Sequence, residues 1–276
     1  MRIIGGSHKR RHLITPPDAE VTRPMPDFVR EAVFNILRGH SEGATVVDVF
    51  AGTGSMGLEA ASRGANEIHF IERDRRIADI IDQNIEQLGF EDRAQLIIGD
   101  ALGPASVARV PDGIDLLFFD PPYPMVTDAE TWPRVAAQFA RFVQKLAPTG
   151  FAVLRTPFPA VHRVKEVEPE LPPGARVEHG LNDDGSEGDG QEEVIVLEAD
   201  SVDGIDDAAL EAFERAAREA EQQARERARP VDIDLEMPGA IGPESHAYGT
   251  TVVHLYMRER TPEEHAELGS APTASA

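Results

Sequence analysis

Residues 114–123, IDLLFFDPPY, constrain the fold more than any other stretch of this sequence. Five large apolar residues in a run of six predict a short strand buried on both faces, as the strands of a parallel sheet are. Asp120 follows the run directly, and open α/β sheets bind ligands at the carboxyl ends of their strands. Pro121 and Pro122 lack the N–H that a sheet requires, so the strand must end there. The stretch therefore predicts an α/β protein with a carboxylate at its ligand-binding edge.

The residues after this predicted strand are suited to holding a planar base. The carboxylate of Asp120 and the backbone carbonyl of Pro121 can accept hydrogen bonds from an exocyclic amine, and the ring of Tyr123 can stack on the base. Pro122 stiffens the turn between them. A strand that simply ends in an Asp-Pro turn is the structural alternative.

Hydrophobic periodicity predicts that strands and helices alternate on either side of this stretch. Predicted strands cover residues 46–50, 68–71, 96–98, 114–119 and 151–154, and predicted helices cover residues 27–38, 55–62, 74–88 and 132–146. Asp27 is predicted to cap the first of these helices. This alternation indicates a doubly wound, mostly parallel Rossmann-like sheet with helices on both faces. Two further strand candidates lie at residues 194–197 and 250–257, and a β-hairpin or extended arm is expected near the N-terminus.

A glycine-rich loop follows the first predicted strand. Gly52, Gly54 and Gly57 form the pattern G-x-G-x-x-G between that strand and its helix, and Glu72 lies 20 residues after Gly52, at the end of the second strand. In nucleotide-binding sheets such glycines let the backbone approach the cofactor, while the acid accepts hydrogen bonds from ribose hydroxyls. The loop alone would suit NAD as well as S-adenosylmethionine.

Three acidic residues favour S-adenosylmethionine over NAD. Asp48, near the end of the first strand, can reach the loop or the cationic amino group of a methionine moiety, and Asp100 can meet an adenine edge. The third is Asp120, because an Asp-Pro-Pro-Tyr turn has no role in hydride transfer. The predicted cofactor contacts are Asp48, Phe50, Gly52, Thr53, Gly54, Glu72, Asp100 and Ala101.

The charges divide the chain into regions of different character. The net charge of the chain is −22, and residues 166–244 hold 24 of its Asp and Glu against 6 Lys and Arg, which leaves only −4 for the rest. Residues 1–25 are predicted to form a basic arm, and residues 26–165 with 246–260 the main domain. Residues 166–245 are predicted to be an acidic, partly disordered insertion before the last strand, with a loop at 182–190 and a helix at 206–229. Residues 261–276 resemble a disordered tail.

Composition excludes several kinds of site. The chain has no cysteine, so disulfides and zinc–thiolate sites are excluded, and no metal site is predicted. No apolar run approaches the roughly 18 residues of a membrane span, so a cytoplasmic protein is expected.

The motifs together resemble those of class I S-adenosylmethionine-dependent methyltransferases that modify exocyclic amino nitrogens. The shared motifs are residues 48–57, Glu72, Asp100 and the Asp-Pro-Pro-Tyr turn at 120–123. RIIGG at 2–6, Arg23-Pro24 through VREAVFNIL, and Tyr-Gly-Thr at 248–250 narrow the resemblance to the bacterial RsmD-type family. It covers residues 2 to about 157 and about 246 to 258. Residues 25–28, Met-Pro-Asp-Phe, depart from the Arg-Pro-Thr and Asp-Arg that this family usually carries near its cofactor.

The resemblance implies methylation of the N2 amine of a guanine in 16S rRNA, either free or in an assembling small ribosomal subunit. It implies S-adenosylmethionine as the cofactor and a catalytic turn made of Asp120, Pro121, Pro122 and Tyr123. Basic side chains before the main domain would hold RNA phosphates: Lys9, Arg10, Arg11 and Arg23. A basic ribosomal protein is a candidate partner for the acidic insertion. The alternatives are an adenine-N6 DNA or RNA methyltransferase, an NAD-dependent oxidoreductase and a non-catalytic RNA-binding scaffold.

Overall fold

A computed structural model describes residues 1–16, 25–162, 175–179, 193–197, 231–262 and 264. The chain forms two compact units, one made of Met1–Arg163 with Val231–Ala276 and the other of Val164–Pro230. Among the expectations above, Arg23, the loop at 182–190, the helix at 206–229 and most of the tail lie outside the described residues.

The described strands, in chain order, number eleven. They are β1 Thr45–Val49, β2 Glu67–Glu72, β3 Ala94–Ile98, β4 Ile114–Phe119, β5 Leu146–Pro157, β6 Val161–His162, β7 Ala175–His179, β8 Glu193–Leu197, β9 Val231–Asp232, β10 Ala240–Tyr248 and β11 Thr251–Arg258. In the main unit, seven of them form one sheet in the order β10-β11-β5-β4-β1-β2-β3. The five strands from β5 to β3 run parallel, β11 is antiparallel to β5, and β10 is antiparallel to β11. The predicted mostly parallel, doubly wound sheet is thus confirmed.

Helices cover both faces of this sheet. Those of the described residues are α1 Asp27–Ile36, α2 Ser55–Ser62, α3 Arg75–Leu88, α4 Pro104–Ala108, α5 Tyr123–Thr127 and α6 Trp132–Val143. Successive strand residues point to opposite faces. Val46 and Leu116 therefore pack in one core with α1, α2 and α3, whereas Val47 and Leu117 pack in a second core with α6.

Two details of the predicted helices are wrong. The helix predicted to reach residue 146 ends at Val143, because Leu146 already pairs with Ile114 as the first residue of β5. Asp27 was the predicted cap of α1, but it does not cap the helix. It is the first residue of the helix, Pro26 precedes it, and its carboxylate binds the buried guanidinium of Arg30 at 2.8 Å.

The N-terminal residues form the predicted hairpin, and it is docked on α2. Here the arm denotes residues 1–16. Arg2 and His12 form an antiparallel bridge, and the buried carboxylate of Glu59 accepts hydrogen bonds from the N–H groups of Ile4 and Gly5, both at 2.7 Å. A side chain at Gly6 would stand 1.8 Å from the carbonyl oxygen of Ser62. The arm is therefore a packed part of the main unit.

The main unit contains residues 231–245, which the sequence analysis assigned to the acidic insertion. Ile233 and Met237 are buried in the second core, and β10 pairs with β11. Gly, Pro and Glu at 242–244 are residues typical of loops, but this strand lies at the sheet edge and has an irregular register there, which is where a sheet tolerates proline. The interruption of the main unit accordingly runs from Val164 to Pro230.

In the second unit, β7 and β8 form an antiparallel pair, which confirms the strand predicted at 194–197. Within the described residues, no helix is both long and apolar enough to cross a membrane. The same residues include no group of three or more His, Asp or Glu that could hold a metal ion.

Candidate active site

The carboxyl ends of the central strands meet at one edge of the sheet. Val49 of β1 is opposite Phe119 of β4, and Phe119 is opposite Leu154 of β5. The next residue of β4, Asp120, donates its N–H to the carbonyl of Val49 at 3.3 Å. Chain order reverses between β1 and β4, with β2 and β3 on one side and β5 on the other. Such a reversal opens a ligand-binding crevice in doubly wound sheets, and Asp120 lies at it.

The glycine loop, residues 50–54, lies beside Asp120. Gly52 and Gly54 have φ angles of 55° and 78°, the left-handed region that favours glycine. A side-chain carbon at Gly52 would have no heavy atom within 4 Å, whereas one at Gly57 would stand 2.4 Å from the ring of Phe70. Gly52 therefore faces open space, while Gly57 lets α2 pack closely on β2. This division of roles is the one expected of a nucleotide-binding loop.

Asp48 holds the start of α2. Its carboxylate is buried and accepts a hydrogen bond from the N–H of Gly57 at 2.9 Å, so it stabilises one of the unpaired N–H groups of the first helical turn. Burial raises the pKa of Asp48 well above its usual range, and the nearby charges of Asp120 and Glu72 raise it further. Asp48 thus contacts the last glycine of the G-x-G-x-x-G pattern, inside α2, and its predicted contact with the amino group of a methionine moiety stays a prediction.

Glu72 ties the end of β2 to the glycine loop. One carboxylate oxygen accepts from the N–H of Gly52 at 3.0 Å, and the other accepts from the N–H groups of Arg73 and Asp74 at 2.8 and 2.9 Å. A carboxylate that accepts three backbone hydrogen bonds is held in one orientation. Glu72 is therefore a fixed carboxylate at the loop, and its contact with a ribose stays a prediction.

The remaining predicted cofactor contacts differ in what they present to this edge. Phe50 lies half-buried with its ring 5.2 Å from that of Phe119. Thr53 is buried and directs its hydroxyl to the sulfur of Met1. Asp100 is exposed and pairs with Arg134 at 3.2 Å, and the buried Ala101 gives its carbonyl to Gln138 of α6. As cofactor contacts, these four stay predictions.

Asp120 is paired with a cation that the sequence analysis did not single out. The Nε atom of Arg155 donates to Oδ1 of Asp120 at 2.5 Å, and the two side chains are only 9% and 17% exposed. Burial raises the pKa of Asp120, and the positive charge and hydrogen bond of Arg155 oppose that rise. Residue 155 comes next to residue 120 because β5 and β4 are parallel and Leu154 pairs with Phe119.

Tyr123 is held at both its hydroxyl and its ring. The hydroxyl hydrogen-bonds Oγ1 of Thr251, the first residue of β11, and the guanidinium carbon of Arg155 lies over the ring, 5.1 Å from its centroid. Pro121 is buried and Pro122 exposed, and α5 begins directly after them at Tyr123. The turn therefore gives one fixed aromatic ring, and one ring face is covered by Arg155.

The predicted RNA-binding cations lie on the turn of the arm. Lys9, Arg10 and Arg11 are exposed, and none of the three forms an ion pair with the part of the chain that the structure describes. Arg10 has a φ of 73° and makes the turn that returns the chain to Arg11. Their role on RNA stays a prediction.

Comparison with known proteins identifies the family. A family model described as Conserved hypothetical protein 95 matches residues 1–156, more than half of the chain. The chain belongs to this family, the RsmD-type methyltransferases.

Two relatives and one solved structure illustrate the match. Ribosomal RNA small subunit methyltransferase D of Escherichia coli is 37% identical over 123 residues, which cover 45% of this chain and 60% of that protein. The candidate rRNA methyltransferase YlbH of Bacillus subtilis is 36% identical over 124 residues, which cover 45% of this chain and 67% of that protein. The solved structure of Escherichia coli yhhF, 20% identical, aligns with a TM-score of 0.54 over 95% of this chain and 99% of that chain, which supports the fold.

The RsmD-type match ends at residue 156, so it includes Asp120 and Arg155 but neither β10 nor β11. Thr251, which holds the ring of Tyr123, therefore comes from outside the matched region. The departure at residues 25–28 is also visible: Met25 is buried, whereas the ring of Phe28 is 59% exposed.

The described residues fit a nucleoside cofactor. Open space faces Gly52, and the fixed carboxylate of Glu72 lies at the same loop. Asp100 follows β3 at the same edge, since Glu72 pairs with Ile98. These groups suit the nucleoside part of S-adenosylmethionine. They provide backbone contacts, one acid that could accept from ribose hydroxyls and one acid that could meet a base edge.

Proposed function

We propose that this protein is an S-adenosylmethionine-dependent methyltransferase that modifies the N2 amine of a guanine in small-subunit (16S) rRNA. The main support is one relationship in a chain of the RsmD-type family: Asp120 lies beside the glycine loop and hydrogen-bonds Val49, the last residue of β1. An acceptor for an amine and a loop for a nucleoside thus share one crevice.

The cofactor would be held by the glycine loop and by two acids. The backbone at Gly52 and Gly54 can approach the nucleoside closely, Glu72 can accept from ribose hydroxyls, and Asp100 can accept from the adenine amine. When bound, S-adenosylmethionine supplies an electrophilic methyl group on a sulfonium centre.

Asp120 and Pro121 would orient the target amine. An exocyclic amine conjugated to a ring is a weak nucleophile, so its nitrogen must be fixed close to the electrophile with its lone pair correctly directed. Hydrogen bonds from the amine to Oδ2 of Asp120 and to the Pro121 carbonyl would do this, because Oδ1 is bonded to Arg155. After transfer the nitrogen is strongly acidic, and a carboxylate of ordinary basicity can take its proton.

Tyr123 would stack on the target base through one face of its ring. Arg155 covers the other face, and the Thr251 hydroxyl fixes the ring plane. A ring that is already fixed loses little freedom when a base stacks on it. The guanine must leave its own stack to reach the turn, which is easier in an RNA loop than in a duplex.

The arm would supply contacts to RNA phosphates. Lys9, Arg10 and Arg11 are exposed on its turn, and such contacts position RNA without reading its sequence. We propose free 16S rRNA or an assembling small subunit as the substrate, which would put the enzyme in the cytoplasm with the ribosome.

Adenine N6 is the alternative target, because the Asp-Pro-Pro-Tyr turn also suits the enzymes that methylate adenine. Next to its exocyclic amine, guanine carries an N1–H donor, whereas adenine carries an N1 acceptor. The methylated nucleoside therefore distinguishes the two targets.

The test is methylation of 16S rRNA with isotopically labelled S-adenosylmethionine, followed by nuclease digestion and mass spectrometry of the nucleosides. The expected product is N2-methylguanosine, while N6-methyladenosine would favour the alternative. Asp120→Ala should bind the cofactor normally but lower the transfer rate by roughly 100-fold or more, the usual effect of a positioned acid–base group. No labelled nucleoside with either free rRNA or small-subunit particles would contradict the proposal.

A further inference from the structure

We infer that Arg155 is a positioning residue for methyl transfer: it holds the Asp120 carboxylate ionised and directs one carboxylate oxygen away from the target amine. This inference rests on the proposed function, because it assigns a role to Asp120. Its geometric basis is one side chain that contacts both Asp120 and Tyr123.

The position of Arg155 at the active edge follows from the sheet. Phe119 pairs with Leu154, so the residues after them, Asp120 and Arg155, are neighbours across two parallel strands. On its other side, Arg155 pairs with Val253 of β11, so its backbone is fixed within the sheet. A guanidinium on a central strand is a more rigid support for a carboxylate than one on a loop.

Asp120 lies in a buried site with other acids, where the cation Arg155 favours its ionised form. Asp48 on β1 is a second buried acid, and Asp120 and Glu72 both raise the pKa of Asp48. Among the described residues, Tyr123 on α5 lies against Arg155, and Thr251 on β11 hydrogen-bonds the hydroxyl of Tyr123. Two carboxyls close together in a buried site resist joint ionisation. Arg155 favours Asp120 as the ionised member, and burial favours Asp48 as the protonated one.

The hydrogen bond from Arg155 also gives the two carboxylate oxygens of Asp120 different roles. Arg155 occupies Oδ1 through its Nε atom at 2.5 Å, so the amine is directed to Oδ2. The same guanidinium lies over Tyr123, where a cation and a ring face attract each other. Arg155 therefore fixes the acceptor and the stacking ring with respect to one another.

Two variants test the inference with a measurement that does not need activity. The carboxyl signal of Asp120 is followed against pH by NMR in protein labelled with 13C-aspartate and is assigned by its loss in Asp120→Asn. Arg155→Gln should move the titration midpoint of Asp120 to higher pH, whereas Arg155→Lys should keep it close to wild type. In single-turnover assays, the acid limb of the pH–rate profile of Arg155→Gln should move in the same direction. Its rate at pH 7 should fall roughly 10- to 100-fold, part of what a positioned acid–base group contributes.

Lys145→Gln is the matched control, since it removes one positive charge at the opposite end of the sheet, where Lys145 binds Asp112. It should change neither the titration nor the pH–rate profile. An Asp120 midpoint that is the same in Arg155→Gln and wild type would overturn the inference, and so would a shifted midpoint with an unshifted acid limb. If Arg155→Gln does not fold, Arg155→Lys decides: a several-fold slower rate with an unchanged midpoint supports the orienting role, and a wild-type rate overturns it. If wild-type protein methylates no rRNA, the proposed function fails, and the NMR titration still shows whether Arg155 controls Asp120.

Discussion

The side chain of Asn84 forms two hydrogen bonds with the backbone of Ile14, accepting from its N–H at 2.7 Å and donating to its carbonyl at 3.0 Å. Asn84 is fully buried on α3, and its amide nitrogen also lies 3.3 Å from the carbonyl of Thr53 in the glycine loop. One side chain therefore joins the arm, α3 and the proposed cofactor loop.

Asn84→Ala should consequently weaken two properties together. Leaving the backbone of Ile14 and the carbonyl of Thr53 without this partner should lower the free energy of unfolding by about 1–3 kcal/mol. It should also weaken S-adenosylmethionine binding, because the loop loses a support. Calorimetry and urea unfolding measure both quantities. Gln87→Ala is the control, since Gln87 binds the carbonyl of His12 from the same helix but does not reach the loop. Equal effects of the two variants on cofactor affinity would contradict the coupling.

Glu72→Ala should weaken cofactor binding more than any other substitution at the glycine loop. The variant removes the carboxylate proposed to bind ribose and the acceptor that holds Gly52. A hydrogen bond to a charged group contributes about 1.5–3 kcal/mol, which corresponds to roughly a 10- to 150-fold higher Kd. Isothermal titration with S-adenosylhomocysteine measures the change. Glu67→Ala, at the other end of β2, should bind like wild type, and an unchanged Kd in Glu72→Ala would remove Glu72 from the site.

Neutralising the cations of the arm should reduce both the affinity for rRNA and its dependence on salt. Each lost phosphate contact lowers the slope of log K against log salt by about 0.7–0.9, so the triple replacement of Lys9, Arg10 and Arg11 by Gln should lower it by up to about 2–3. Filter binding at several salt concentrations measures the slope. A charge-preserving variant, Lys9→Arg with Arg10→Lys and Arg11→Lys, should keep it. If both variants have the wild-type slope, these residues do not contact phosphates.

The interruption of the main unit should be removable. His162 and Val231 are antiparallel partners in β6 and β9, so the two ends of the segment lie about 5 Å apart. Replacing residues 164–230, with 20 of the 49 Asp and Glu, by Gly-Ser should leave folding, cofactor binding and methylation of naked rRNA intact. Extending the excision to residue 245 is the control and should unfold the protein, because it removes most of β10 and the buried Ile233 and Met237. Loss of activity only on ribosomal particles would favour a docking role for the segment.

Much of the parallel part of the sheet could be predicted, because strands that are buried on both faces appear in the sequence as short runs of apolar residues. The residue just after each run then lies at one edge, which is why Asp120 and the glycine loop could be grouped from sequence alone. The same rule points to Arg155, the first polar residue after the run that ends at Leu154. Arg155 is a cation at an edge that otherwise carries acids, so the sequence contains a signal for this residue.

Other features depend on contacts that no local pattern encodes. Tyr123 and Thr251 are 128 residues apart, and their hydrogen bond requires β11 to lie beside β5. The strand β10 could not be predicted because its Gly, Pro and Glu are typical of a loop, and only the partner β11 makes a strand of it. The pairing of Arg155 with Asp120 depends likewise on the register of β4 with β5.

The packing of β10, β11 and β5 contains a buried histidine that should make the stability of the protein depend on pH. His254 is 2% exposed, with Nε2 2.9 Å from the hydroxyl of Thr156 and Nδ1 2.7 Å from that of Ser245. Burial lowers the pKa of His254 to about 4, compared with about 6.5 in an unfolded chain. Between these values the unfolded chain binds more protons than the folded one, so the free energy of unfolding falls as the pH falls from about 6.5 towards 4.

His254→Gln removes this proton-linked term, so its difference from wild type should change with pH. Between pH 7.5 and pH 5.5, the free energy of unfolding of wild type should fall by about 1.4 kcal/mol more than that of the variant. This is the amount set by one histidine with these two pKa values. Urea unfolding at both pH values measures the difference, and other titrating groups cancel because the two proteins share them. His246→Gln, which alters a half-exposed neighbour on β10, is the matched control. If wild type and His254→Gln lose stability in parallel across this range, His254 is not held neutral by the fold.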